Sequence, residues 1–152
     1  MMNPSNLPTI VNTYDNLLLY TDFILSSIID RVNDKQAVSF VMYVSDHGEN
    51  LGDGENKLFF HGTPFLTKAE MQVPFIIWNS DSYKHVYPEK VELLAKNREA
   101  RLSTNLIFHT ILNMADIGYP KEQLNLSPAN SSFEELKERW VLDANIKPMK
   151  YD

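Results

Sequence analysis

Three residues stand out for the chemistry their types and positions allow: Asp46, His47 and His61. The first two are adjacent in Ser45-Asp46-His47-Gly48-Glu49, straight after an apolar run and before a glycine. A carboxylate supplies a hard oxygen and an imidazole a borderline nitrogen, a pairing that zinc accepts. Gly48 and Gly52 give the backbone freedom to bend, so that neighbouring side chains can converge. Taken alone, Asp46 also reads as a turn cap and His47 as an incidental loop histidine, the commoner case for an isolated pair. His61 lies between Leu58-Phe59-Phe60 and a Gly62-Thr63-Pro64 turn. By itself such a histidine is more often structural than a ligand.

Other chemistries fit less well. Ser45, Asp46 and His47 are the residue types of a hydrolytic triad, but consecutive positions rarely form a nucleophile–base–orienter chain, and no Gly-x-Ser-x-Gly elbow occurs. Asp53 and Glu55 superficially resemble a calcium loop, yet the oxygen-bearing residues are wrongly spaced. The run from Asp53 to Lys57 reads as a turn. His85 sits in the polar stretch Ser82-Tyr83-Lys84-His85 and reads as solvated, whereas His109, beside Phe108, reads as a packed helix residue. Tyr14, Tyr20, Phe23 and Tyr43 fall at helix or strand spacing and default to core.

Composition bounds the class. The 152 residues are 43% apolar and 22% charged, an ordinary globular balance with one domain as its prior. With no cysteine, disulfide frameworks, Cys-ligated zinc, thiolate nucleophiles and iron–sulfur clusters are excluded, while the compartment stays open. A formal charge of −6 and no dense Lys/Arg block argue against nucleic acid as a partner. No apolar stretch approaches the ~18 residues needed to cross a bilayer, and the start shows no signal-peptide core. The polypeptide reads as soluble.

The elements that would position these residues can be read next. Residues 1–10 carry two prolines and form a weakly fixed lead-in. A helix is expected from about Thr13, whose hydroxyl could cap it, to about Asn33. Leu17, Leu18, Thr21, Ile24, Leu25, Ile28, Ile29 and Val32 give it one broad buried face. Ala37–Val44 and Val73–Trp78 are almost continuous apolar, β-rich runs, which suit central strands covered on both faces. Helices follow at Pro88–Lys96 and Ser103–Asp116, the latter with Leu106, Ile107, Ile111, Leu112 and Ala115 along one side. A short helix near Phe133–Arg139 and a late strand at Trp140-Val141-Leu142 complete the chain. The expected fold is α/β, a layered α/β/α sandwich with a mostly parallel sheet. Its site would lie outside the carboxyl end of the first buried strand.

One ordered set of motifs adds a family resemblance. The set comprises Asn12-Thr13-Tyr14-Asp15-Asn16, Tyr20-Thr21-Asp22, Tyr43-Val44-Ser45-Asp46-His47-Gly48-Glu49, Phe60-His61-Gly62-Thr63-Pro64-Phe65 and Val73-Pro74. Ser103–Thr110 and the Tyr151-Asp152 ending look similar too. Together they resemble the C-terminal part of the catalytic domain of lipid A phosphoethanolamine transferases, in the sulfatase and alkaline-phosphatase-like superfamily. The resemblance runs from about Leu7 onward and implies a partial alkaline-phosphatase-like fold over residues 1–152. It implies that Asp46 and His47 are Zn2+ ligands and that His61 binds a second metal or the substrate phosphoryl group. Tyr14, Asp15 and Asn16 match a family motif but are assigned to helix placement.

In that family the threonine nucleophile, a glutamate zinc ligand, a further histidine and the membrane-spanning part lie upstream of the matched region. None of Thr13, Thr21, Thr63 or Thr67 matches the nucleophile motif, so no catalytic nucleophile is expected in this chain. The resemblance implies a parent at the periplasmic face of the inner membrane. It would move a group from a phospholipid donor to an envelope lipid or glycan acceptor, with membrane contact only through the upstream part. Two other readings stay open: a sulfatase or phosphatase-type hydrolase of the same superfamily, and a non-catalytic binding or assembly module. An incomplete sheet would also expose apolar edges and favour self-association.

Overall fold

The first helix, α1, spans Leu7–Asn33, and it starts six residues before the expected Thr13 because Pro8 fits the first turn of a helix. Thr13 does not cap. Its hydroxyl donates to the Thr9 carbonyl at 2.8 Å, a bond available only inside a helix. The computed structural model describes residues 6–52, 57–62, 66–120, 123–143 and 146–151. Within it α1 takes up Leu7–Ile10 of the expected lead-in, and residues 1–5 lie outside the described set. The broad apolar face of α1 is not buried. Tyr14, Thr21, Leu25, Ile29 and Val32 are half-buried, while Leu17, Leu18, Leu19, Tyr20, Phe23, Ile24 and Ile28 are exposed.

Strand β1 (Phe40–Val44) follows, then the short strands β2 (Asn50–Leu51) and β3 (Phe59–Phe60), a one-turn helix α2 (Lys68–Met71) and β4 (Phe75–Asn79). The pairings correct the expected sheet. β1 and β4 pair antiparallel, from Phe40 opposite Asn79 to Val44 opposite Phe75. Every sheet among the described residues is a two-stranded antiparallel ribbon, so the layered sandwich with a mostly parallel sheet is not what forms. Parallel neighbours need a crossover, usually a full helix, to carry the chain back to its starting end. Between Val44 and Phe75 the described chain offers only a hairpin and the four-residue α2, so it simply returns. An apolar run reports burial and not direction, and here the residues of β1 are half-buried. Pro74 stands just before β4, where its missing N–H costs the ladder nothing.

The ribbon is closed at its far end by Ser80, whose N–H donates to the Ser39 carbonyl (3.0 Å) and whose hydroxyl donates to the Ala37 carbonyl (2.9 Å). Two compact units result, Met1–Ser80 with Asp143–Asn145, and Asp81–Leu142 with Ile146–Asp152.

The second unit contains α3 (Asp81–Val86), α4 (Pro88–Lys96), α5 (Ile107–Met114) and the antiparallel pair β5 (Trp140–Leu142) and β6 (Pro148–Lys150). Its core gathers Tyr83, Leu106, Met114 and Ala129. Tyr83 donates its phenol proton to the Met114 carbonyl at 2.7 Å, and burial, followed by Tyr87 and Asp116, pushes its pKa up to about 12. The helical period read for α5 is right but its face is rotated. Leu106, Thr110 and Met114 are buried, whereas Ile111 and Ala115 are exposed. Thr110 can be buried because its hydroxyl donates back to the Leu106 carbonyl (2.7 Å). No helix forms over Phe133–Arg139. There the Glu134 N–H donates to the Asn125 carbonyl and Glu135 accepts from the Arg101 N–H, bonds that draw the segment away from a local helical ladder.

Candidate metal centre

β1 ends at Val44, and Ser45–Glu49 leave it in the place expected for a site. Ser45 is structural in this geometry: its hydroxyl donates to the His47 carbonyl at 2.8 Å, not to an imidazole. Asp46 Oδ1 accepts the His47 N–H (3.1 Å), which leaves Oδ2 free, 3.9 Å from His47 Nε2. The Asp46 side chain is 90% exposed, so its bond to the His47 N–H is the restraint on its turning among the described contacts.

His61 arrives by the register of the hairpin. Leu51 pairs with Phe59 and Asn50 with Phe60, and the Gly52 N–H donates to the Leu58 carbonyl (2.8 Å). Glu49 and His61 directly flank the pair that ends this ladder, and His61 Nδ1 meets Glu49 Oε1 at 2.7 Å. In an extended segment residues i and i+2 share a face. His47 therefore joins Glu49, and the rings of His47 and His61 lie 3.8 Å apart between centroids, tilted by 37°. One donor atom from each of His47, Glu49 and His61 falls within 4.8 Å of the others.

The surroundings hold this shape. Phe60 adopts φ +63°, a left-handed conformation that costs a bulky residue on the order of 1–3 kcal/mol. Asn50 Nδ2 donates to the Phe60 carbonyl at 2.8 Å, and Asn50 Oδ1 accepts from the Thr67 hydroxyl at 2.7 Å. Thr67 in turn caps α2 in a reciprocal box with Glu70. Gly52 needs its positive φ of +77°, and a Cβ there would strike the Phe59 ring. Gly48 is required for a different reason from the bend expected of it. Its φ is not in the left-handed region; an added Cβ would run into the Ala69 carbonyl oxygen, and its N–H donates to the Glu70 carbonyl (2.8 Å). The loop is thus pressed directly onto α2.

The structure brings His47 and His61 together with Glu49, a residue of the same motif, while Asp46 stands beside His47 and outside that cluster of donors. The signal for Glu49 was there to find, a carboxylate two residues from a histidine in an extended segment. His85 is exposed in the last turn of α3, and His109 accepts the Gln123 N–H at Nδ1 (3.2 Å). The turn and calcium-like spacing at Asp53–Asn56, the Thr63–Phe65 part of the motif that begins at Phe60, and Asp152 lie outside the described residues.

The donor chemistry fits zinc. A tetrahedral shell with bonds of about 2.0–2.2 Å sets neighbouring donors about 3.4 Å apart, and a small rotation of Asp46 brings its Oδ2 to that distance from His47 Nε2. Glu49 Oε2 is buried without a hydrogen-bond partner among the described residues. An orphaned carboxylate oxygen is costly, and a cation held by the neighbouring imidazoles would offset part of that cost without touching the oxygen.

The family model described as Sulfatase matches residues 3–117. The chain belongs to the sulfatase family. It is 34% identical over 113 residues to the phosphoethanolamine transferase EptA of Escherichia coli strain K12, an alignment covering 71% of this chain and 20% of that protein. A crystal structure of the C-terminal periplasmic domain of EcEptC from Escherichia coli superposes with a TM-score of 0.85 at 25% identity. That match covers 99% of this chain and 42% of the other. The corresponding domain of EptC from Campylobacter jejuni matches with a TM-score of 0.70 and 31% identity, over 83% of this chain and 39% of that one. This sulfatase-family chain thus spans about a fifth of the EptA sequence and under half of each solved domain.

Proposed function

We propose that this chain is the C-terminal portion of the catalytic domain of a zinc-dependent phosphoethanolamine transferase. The parent would move phosphoethanolamine from a phospholipid to an envelope lipid or glycan at the periplasmic face of the inner membrane. The observation that carries the reading is the meeting of His47 and His61 just beyond β1, their imidazoles 3.8 Å apart, with Asp46 Oδ2 3.9 Å from His47 Nε2. Similarity to proteins named phosphoethanolamine transferases and to domains described as periplasmic supports the substrate class and the compartment. No helix among the described residues is long and apolar enough to cross a membrane.

Asp46 and His47 are the zinc ligands in this proposal, and His61 faces the phosphoryl group or a second metal. A zinc ion bound there would activate a hydroxyl nucleophile and stabilise charge developing on phosphoryl oxygens. His47 presents Nε2 outward because its Nδ1 is occupied by the Gly48 carbonyl at 3.1 Å. The Asn50–Thr67–Glu70 network fixes the hairpin that carries His61, so the imidazole need not be ordered when substrate arrives.

None of Thr13, Thr21, Thr63 or Thr67 matches the nucleophile motif of the family the chain resembles. The purified 152-residue chain, given phosphatidylethanolamine and lipid A with saturating zinc, is therefore expected to transfer nothing, as read by mass spectrometry of the acceptor. Turnover would place a nucleophile within these residues and overturn the assignment. The Sulfatase description of the matching family model favours a second reading, ester hydrolysis by the parent, in which water takes the group in place of the lipid or glycan acceptor. Free phosphoethanolamine without modified acceptor, from the parent enzyme, would select it.

Self-association belongs to the same proposal, because α1 leaves a stripe of leucine, tyrosine, phenylalanine and isoleucine exposed. Sedimentation equilibrium is expected to show a mass above 17.5 kDa that rises with concentration. A clean monomer throughout would contradict it.

A further inference from the structure

We infer that Glu49 is a positioning residue that locks the His61 imidazole with its Nε2 lone pair facing outward. This deepens the proposed metal reading and rests on it only for the affinity arm of the test below. A carboxylate and a peptide carbonyl have no proton to give, so the imidazole nitrogen facing either must be the donor. His61 Nδ1 stands 2.7 Å from Glu49 Oε1, and His47 Nδ1 stands 3.1 Å from the Gly48 carbonyl. Both rings therefore carry the proton on Nδ1 and offer Nε2 to whatever binds. Metal-binding histidines are commonly fixed in this way by an outer carboxylate or carbonyl.

Glu49 itself is poorly placed to be a ligand, although it belongs to the cluster of candidate donors. Oε1 is engaged by His61 at 2.7 Å, and Oε2 is buried, with no hydrogen-bond partner among the described residues, and is turned away from solvent. The carboxylate acts through the ring. The hairpin holds it there, because Glu49 and His61 directly flank the pair Asn50 and Phe60 that ends the ladder.

The test uses the full chain labelled with nitrogen-15 at histidine, without metal, at about pH 8.5, above the ordinary histidine range. Two-bond proton–nitrogen correlation spectra report which ring nitrogen carries the proton. Wild type is expected to show His61 protonated at Nδ1, and Glu49→Ala to show the Nε2-protonated form that predominates for imidazole in water. Glu49→Gln keeps an acceptor oxygen and should retain the wild-type form. Zinc affinity should fall about 10–100-fold in Glu49→Ala and stay within a few-fold of wild type in Glu49→Gln. An Nε2-protonated His61 in wild type, or an unchanged His61 in Glu49→Ala, would overturn the inference. Equal loss of affinity in both variants would also overturn it, because Glu49 would then be a direct ligand. Should none of the three bind zinc while the tautomer pattern holds, the positioning role is supported and the metal reading alone fails.

Discussion

Alanine at His47 is expected to weaken zinc binding by this chain more than about 100-fold, since substitutions outside a metal's direct ligands already cost about 10–100-fold. Competition with a chromophoric chelator measures it. Asp46→Ala should fall in the same range, while His85→Ala and His109→Ala should leave the affinity unchanged, one lying exposed on α3 and the other on α5. The loss in His47→Ala is one of ligation and not of folding. The side chain is 39% exposed, and among the described residues its ring hydrogen-bonds to the adjacent Gly48 carbonyl. The unfolding midpoint should therefore move by no more than a surface substitution would move it, about 0.5 kcal/mol. If His47→Ala binds zinc as well as wild type, the ligand assignment is wrong.

Gly48→Ala produces the opposite pattern, a defect of structure that reaches the site. The new methyl group meets the Ala69 carbonyl, which is backbone and cannot rotate away, and relief requires α2 to move or the bond from the Gly48 N–H to the Glu70 carbonyl to break. Overpacking of this kind costs typically about 1–3 kcal/mol. His47 and Glu49 flank the displaced residue, so zinc affinity should fall together with the urea midpoint. Gly62→Ala is the comparison. It meets nothing within 4 Å and carries only the strain of φ +71°, so it should be the milder of the two. An unchanged midpoint in Gly48→Ala would show that the loop is not pressed onto α2 as described.

How far these arguments could be made without coordinates differs from residue to residue. The end of α1 at Asn33 and the span Pro88–Lys96 follow from period and proline placement and form as read. The β-rich runs Ala37–Val44 and Val73–Trp78 do hold strands, over the shorter or shifted spans Phe40–Val44 and Phe75–Asn79 and without burial on both faces. Strand direction does not follow, because a run such as Phe40–Val44 looks the same in either orientation; what decides it is the connection between the strands. Burial of the broad α1 face could not be read either. Periodicity shows which residues share a side, while what covers that side is a tertiary fact.

The Asp46–His47 pair was legible by type and by its place after a strand. The arrival of His61 was not, since β2 and β3 are two residues each, too short for any periodic signal. Two cues would have helped. Thr67-Lys68-Ala69-Glu70 is a capping-box pattern that marks α2, and Glu49 two residues from His47 in an extended segment marks the carboxylate that meets His61. Gly48 is required at the position the sequence suggests, through a close approach to the Ala69 carbonyl and not through a bend.

Crystals of this chain soaked in zinc and measured on both sides of the zinc absorption edge give the most direct check. An anomalous peak within about 2.2 Å of His47 Nε2 and of an Asp46 carboxylate oxygen is the expected result. A peak that bypasses both side chains, or none at saturating zinc with His47 and His61 still face to face, would contradict it.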